Sequence, residues 1–186
     1  MGKKLSEMTL EELWQLFPII LTEHQPHWAD WYALEAAALQ ALLPGCRISH
    51  VGSTAIPGIW AKPIVDILME APIHQPLDTM LPLLVKAGWI CMNCTAREIA
   101  FNKGYTDHGF AEKVFHLHLR HAGDHDELYF RDYLTEHSEA AQAYQQLKLS
   151  LWPRFEHDRD GYTAAKADFV RQYTLLGKQE YPQRYE

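Results

Sequence analysis

Apolar residues along this chain recur at two spacings, and each stretch of one spacing predicts an element. Leu10, Leu13, Trp14 and Phe17 repeat at the helical period directly behind Thr9-Leu-Glu-Glu12, a capping-box sequence that satisfies the first unpaired N–H groups of a helix. This helix is expected within an N-terminal arm, residues 1–26. A longer amphipathic helix is predicted from Trp28 to Leu43, with Trp28, Trp31, Leu34, Ala38, Leu39 and Leu42 on one stripe and Pro44-Gly45 ending it. Two strands follow, Arg47 to Val51 and Lys62 to Met69, the second rich in β-branched and apolar residues. Leu77 to Ala87, closed by Gly88, reads as a helix, Trp89 to Met92 as a strand, and Ile99-Ala-Phe101 as a further short strand. Period two is plainest in Val114 to Arg120, where Phe115, Leu117 and Leu119 face one way and His116, His118 and Arg120 the other. Helical spacing returns in Glu127 to Glu136, Ser138 to about Leu151 and Tyr162 to about Leu176, with Pro153 expected to break the second of these. Residues 178–186 are expected to form a flexible tail. The sum is a small mixed β-sheet flanked by helices, in the α/β or α+β class.

Composition narrows the functions. A chain of 186 residues, 47% hydrophobic and 22% charged, has enough apolar surface to fold, and its length suits a single domain. A net charge of −7 argues against nucleic acid or an anionic membrane as partner, since both attract a basic face; a local basic pocket stays open. Cys46, Cys91 and Cys94 lack the second Cys or His pair that zinc would need, so they are expected as reduced thiols in or near a strand. With no signal-peptide pattern and no apolar run long enough to span a bilayer, the expected location is the cytoplasm.

Candidate chemistry centres on His50-Val51-Gly52-Ser53-Thr54. Gly52 permits a backbone conformation closed to other residues, and the hydroxyls and N–H groups of Ser53 and Thr54 are phosphate donors, although the same residues also occur in ordinary turns. Asp66 lies among Ile64, Val65, Ile67 and Leu68, where a carboxylate is costly to bury unless a metal, a cation or several donors satisfy it. Lys62 falls on the same strand face as Asp66 and is placed to neutralise phosphate or to pair with an acid. His50 is either a further site residue or a core histidine.

The segments "HVGSTAIPGIWAKPIVDI", "FHLHL", "LYFRDYL" and "YTAAKADFV" occur in order between Ile48 and Val170, and in them the chain resembles the GrpB family of the nucleotidyltransferase superfamily. The resemblance implies a nucleotidyltransferase-like fold and metal-dependent transfer of a nucleotidyl group from a nucleoside triphosphate to an acceptor. It casts Gly52, Ser53 and Thr54 as the phosphate turn, Asp66 as metal ligand, and Lys62 or Arg120 as the phosphate counter-charge. Arg131, Tyr162 and Lys166 complete the expected substrate contacts, with Tyr133 beside them. In the superfamily pattern a second carboxylate follows two residues after the first, and here Leu68 stands there. Glu70 shares the face but lies roughly 13 Å from Asp66 along an extended strand and is expected at a solvated strand end. The implied cofactor is a divalent metal, Mg²⁺ or Mn²⁺, with a transition metal as the alternative if His116 and His118 join Asp66 as ligands. The expected partner is a nucleotide or another phosphorylated small molecule. Two other functions fit the same residues: a non-catalytic module that binds such a ligand, and a metal-dependent hydrolase using the histidines.

Overall fold

The computed structural model describes residues 3–185; the first two residues of the expected arm and the last of the expected tail lie outside them. Strands β1 (Arg47–Val51), β2 (Val65–Ala71), β3 (Ile90–Cys94), β4 (Glu98–Thr106) and β5 (Gly109–His121) form one sheet in the order β1-β2-β5-β4-β3. β2 and β5 run parallel and the other neighbours antiparallel, so the sheet is mixed as expected. The helices are α1 (Leu10–Leu16), α2 (His27–Leu42), α3 (Leu81–Lys86), α4 (Asp126–Glu136), α5 (Ser138–Phe155) and α6 (Arg159–Glu180).

Alternation assigns the two faces of the sheet. Val65, Ile67 and Met69 of β2 and Phe115, Leu117 and Leu119 of β5 join Trp28 and Leu39 of α2, Leu84 of α3 and Trp89 in the main core. Ile67 and Leu117 are wholly buried, and each such side chain contributes about 1.5–3 kcal/mol of transfer free energy. The opposite face carries Asp66, Leu68 and Glu70 beside His116, His118 and Arg120, with those six residues in register across the parallel pair. Helices α4, α5 and α6 gather beyond this face. Phe130, Leu134 and Tyr144 from α4 and α5 bury Ile56 and Ile59 of the β1–β2 connection. Behind α1 the chain passes through the buried Ile19 and Leu21, which pack with Tyr162, and Thr22 pairs with Ala61.

Several elements differ from expectation for physical reasons. β2 starts at Val65, not Lys62: Pro63 has no N–H for a ladder, and Ile64 N–H closes a tight turn onto the Lys62 carbonyl at 2.7 Å. Strand β4 runs from Glu98 to Thr106, well beyond the three residues expected, because its pairing with β5 supplies the order that local sequence lacks. The helix expected from Leu77 divides into a 3₁₀ turn, Leu77–Thr79, and α3, with Pro82 in the first turn of α3. Pro153 does not end α5, which continues to Phe155. Leu34, counted in the apolar stripe of α2, is 66% exposed. Residues 178–180 continue α6, and the Tyr185 ring packs on Tyr129 and His125. Cys91 and Cys94 are exposed free thiols on β3, and Cys46 is a buried one. Among the described residues no helix is long and apolar enough to cross a membrane.

Candidate functional site

Gly52 ends β1 with φ +72° and ψ −171°, a conformation essentially restricted to glycine. Register explains why it must also be small: Val51 lies opposite Asp66, so the next residue meets the Asp66 side chain. A Cβ at Gly52 would stand 2.3 Å from Asp66 Oδ2. Ser53–Ala55 then forms a single 3₁₀ turn. His50 holds this turn through a 3.0 Å hydrogen bond between Nε2 and Thr54 Oγ1, while its ring stacks on Tyr32. Burial lowers the His50 pKa to about 4, the Arg131 charge adding to the effect, so the imidazole is neutral and positions Thr54.

Asp66 is the end of a hydrogen-bonded chain. His116 Nδ1 donates to Asp66 Oδ1 at 3.1 Å, the Tyr105 hydroxyl donates to His116 Nε2 at 2.8 Å, and Arg159 Nη1 donates to the Tyr105 oxygen at 2.9 Å. Every donor and acceptor in the series is matched when His116 is neutral with its proton on Nδ1. Burial favours that state, lowering the His116 pKa despite the adjoining carboxylate. Burial alone would raise the Asp66 pKa, but the His116 hydrogen bond and the charges of His118 and Lys62 outweigh it and keep Asp66 ionised.

Facing Asp66 is a group of cations. Lys62 Nζ and Lys166 Nζ lie over the same Tyr162 ring, 5.8 Å and 4.3 Å from its centroid. Lys148, 2% exposed, donates to the Trp60 carbonyl and lies 4.7 Å from the Tyr144 ring centroid. Burial, with the charges of Lys166 and Arg159, lowers the Lys62 pKa to about 7 against the pull of Asp66. Burial and the charges of Lys166 and Lys62 likewise bring Lys148 to about 7, and burial brings Lys166 to about 8. Lys148 is buried and Lys62 and Lys166 are half-buried, so the three ammonium groups are wholly or partly held out of water beside like charges, a condition in which an added anion is favoured. A cavity of about 510 Å³ borders Gly52, Tyr144 and Lys166 and continues along the apolar Phe130, Val170 and Leu175. Tyr144, buried and pushed up to about 12, interacts through its hydroxyl with Ser53.

The structure therefore brings together Gly52, Ser53, Thr54, Lys62, Asp66, His116, Tyr162 and Lys166 of the residues expected from sequence. Three others have different surroundings. Arg120 pairs with Glu98 and Glu127 at 2.6 and 2.8 Å, so its charge is already matched. Arg131 donates to the His50 carbonyl, to Asp132 and to the Tyr185 hydroxyl, behind β1. His118 Nδ1 faces Glu98 Oε1 at 3.2 Å, and Glu98 is held down to about 2, first by that bond. Glu70, expected in solvent, is 2% exposed and binds Arg47, His125 and the Gly123 N–H, which makes it a structural acid. Lys148, Tyr105 and Arg159 belong to the site without being predicted by the sequence.

Among the described residues no group of three or more His, Cys, Asp or Glu side chains is arranged to hold a metal ion. The hybrid set of Asp66, His116 and His118 does not assemble, because both His116 nitrogens are engaged and His118 turns to Glu98. Leu68, wholly buried against Val51 and Leu128, cannot be a ligand, so a two-ion centre does not fit. One carboxylate oriented by an imidazole does fit a single Mg²⁺ shared with ligand phosphates, since that ion commonly takes only one or two protein carboxylates.

Comparison with known proteins agrees with the architecture. The profile of the GrpB protein family matches residues 18–175. A UPF0157 protein of Pseudomonas aeruginosa is 37% identical over 159 residues, covering 82% of this chain and 64% of that protein, so the chain spans less than two thirds of that relative. The glutamate-rich protein GrpB of Alkalihalophilus pseudofirmus is 30% identical over 162 residues, covering 82% of this chain and 91% of that one. The crystal structure of the conserved protein GrpB from Enterococcus faecalis superposes with a TM-score of 0.75 at 26% identity, covering 88% of this chain and all of that one.

Proposed function

The chain belongs to the GrpB family, and from that premise we propose that its cleft binds the triphosphate of a nucleoside triphosphate and transfers the nucleotidyl group to an acceptor. The observation that carries this reading is the set of mutually repelling ammonium groups of the buried Lys148 and the half-buried Lys62 and Lys166 beside the Gly52–Thr54 turn and the lone carboxylate of Asp66. A polyphosphate relieves the repulsion and accepts hydrogen bonds from the lysines and from the N–H and hydroxyl groups of Ser53 and Thr54. The adjoining apolar cavity along Phe130 and Val170 has room for a nucleoside.

Asp66 would hold the one divalent ion that accompanies the nucleotide, and that ion would supply charge neutralisation at the phosphates. The chain's own residues do the rest. His116 keeps Asp66 ionised and oriented, His50 fixes Thr54, and the lysines balance the negative charge that builds on the departing pyrophosphate. Lysine charge thus takes over part of what a second ion would provide where Leu68 replaces a carboxylate.

Leu68 also favours a second reading, retention of a nucleotide without transfer. Calorimetry with ATP, CTP, GTP and UTP, each with Mg²⁺ or Mn²⁺, combined with a pyrophosphate-release assay separates the two. Saturable binding with pyrophosphate release supports transfer, binding alone supports the module, and absence of binding by all four removes both. Asp66→Asn should abolish the metal dependence of binding while leaving the fold intact; metal-dependent binding that survives it removes Asp66 as ligand.

A further inference from the structure

A second cavity, of about 620 Å³, lies between the N-terminal arm and the β3–β4 edge of the sheet, on the face that carries Asp66. Its walls are apolar: Leu10, Leu13 and Trp14 of α1, Phe17 after it, and Ile90 and Met92 of β3. Leu10, Ile90 and Met92 are 55%, 42% and 56% exposed, so this lining is open to a ligand. Its polar groups include Lys4, Asp107, Asp160, Asn102, Tyr105 and Arg159, the last two being the outer members of the chain that ends on Asp66. Among the described residues Arg159 forms no ion pair; it donates to the Tyr105 hydroxyl, and its guanidinium rests 5.6 Å from the Tyr105 ring centroid.

Sheet order relates the two cavities. The first borders Gly52 at the end of β1 and Lys166, the second borders β4 and β3, and the strands between them, β2 and β5, carry Asp66 and His116. The second cavity therefore reaches Asp66 only through Tyr105 and His116. The Arg159 guanidinium suits an anion, and the apolar walls suit a hydrophobic body attached to it.

We propose that the arm-covered cavity binds a small carboxylic acid with an aromatic or branched apolar body, its carboxylate on Arg159 and Tyr105. This binding does not depend on the transfer function above.

Met92 supplies a local probe. Protein labelled with ¹³C at the methionine methyls is titrated with benzoate, 4-phenylbutyrate and indole-3-acetate and with their neutral amides, without nucleotide. At least one acid is expected to shift the Met92 methyl saturably and to bind tenfold or more tighter than its amide. Arg159→Gln should erase that difference and Arg159→Lys restore part of it. No shift at Met92 from any of the three acids, or equal affinity for acid and amide in the unsubstituted protein, overturns the proposal. ATP calorimetry on the same sample reports the phosphate seat separately, so failure of one is distinguishable from failure of the other.

Discussion

Gly52→Ala carries two penalties whose sum can be worked from the geometry. At φ +72° and ψ −171° a Cβ alone costs about 1–3 kcal/mol. The same Cβ would meet Asp66 Oδ2 at 2.3 Å, so the carboxylate must move and its bond to His116 is strained or lost, a further ~1.5–3 kcal/mol. We expect a total loss of about 3–6 kcal/mol in urea denaturation. Gly58 provides the control, since its φ is +77° but nothing lies within 4 Å of its Cβ position. Gly58→Ala should cost only the backbone part, about 1–2 kcal/mol. In an Asp66→Ala background the carboxylate is gone and only the 3.0 Å approach to the Cβ at position 66 remains, so Gly52→Ala should then cost less than it does beside Asp66. Equal losses for the two glycines in the unsubstituted background, or an undiminished loss for Gly52→Ala when Asp66 is absent, would refute the idea that Gly52 is required by the Asp66 carboxylate.

Other consequences follow from the buried charges. Lys62 and Lys148 near 7 and Lys166 near 8 lie below the lysine value of 10.5, so between these limits the unfolded chain binds more protons than the folded one. Stability of the ligand-free protein should therefore rise as pH goes from about 7 to 10.5, as read by denaturation at several pH values; a fall over that range contradicts the lowered lysine values. Polyphosphate binding has the opposite slope because it needs the charged ammonium, and at pH 8 it should take up protons, seen as a binding enthalpy that tracks the ionisation heat of the buffer. Glu70→Ala should destabilise by about 1.5–3 kcal/mol by removing the carboxylate that Arg47 and His125 bind, the half-exposed Arg47 then being solvated, while ATP affinity at low temperature stays unchanged; a loss of affinity would place Glu70 in the site.

Where local pattern decides conformation, the sequence was sufficient. The alternation in Val114 to Arg120 fixes both the strand and its polar face, and the spacing from Gly52 to Asp66 brings together two residues that the antiparallel register sets side by side. What it left out depends on tertiary juxtaposition. Tyr105 reaches His116 through the β4–β5 pairing, and Arg159 reaches Tyr105 because α6 starts beside it, neither of which has a local signature. Glu70 looked like a strand end because its partners, Arg47 and His125, come from β1 and from the turn before α4. Lys148 did have a signal: it falls four residues after Tyr144 on the buried face of α5, and a lysine on an apolar helical stripe requires an explanation.

The central claim is that Lys62, Lys148 and Lys166 beside the Gly52–Thr54 turn seat a polyphosphate, and inorganic tripolyphosphate tests it without any base preference. Titrated calorimetrically at pH 7, it should bind saturably at one site in the unsubstituted protein and at least tenfold more weakly in Lys166→Met. Absence of binding, or the same affinity in both proteins, would contradict the account.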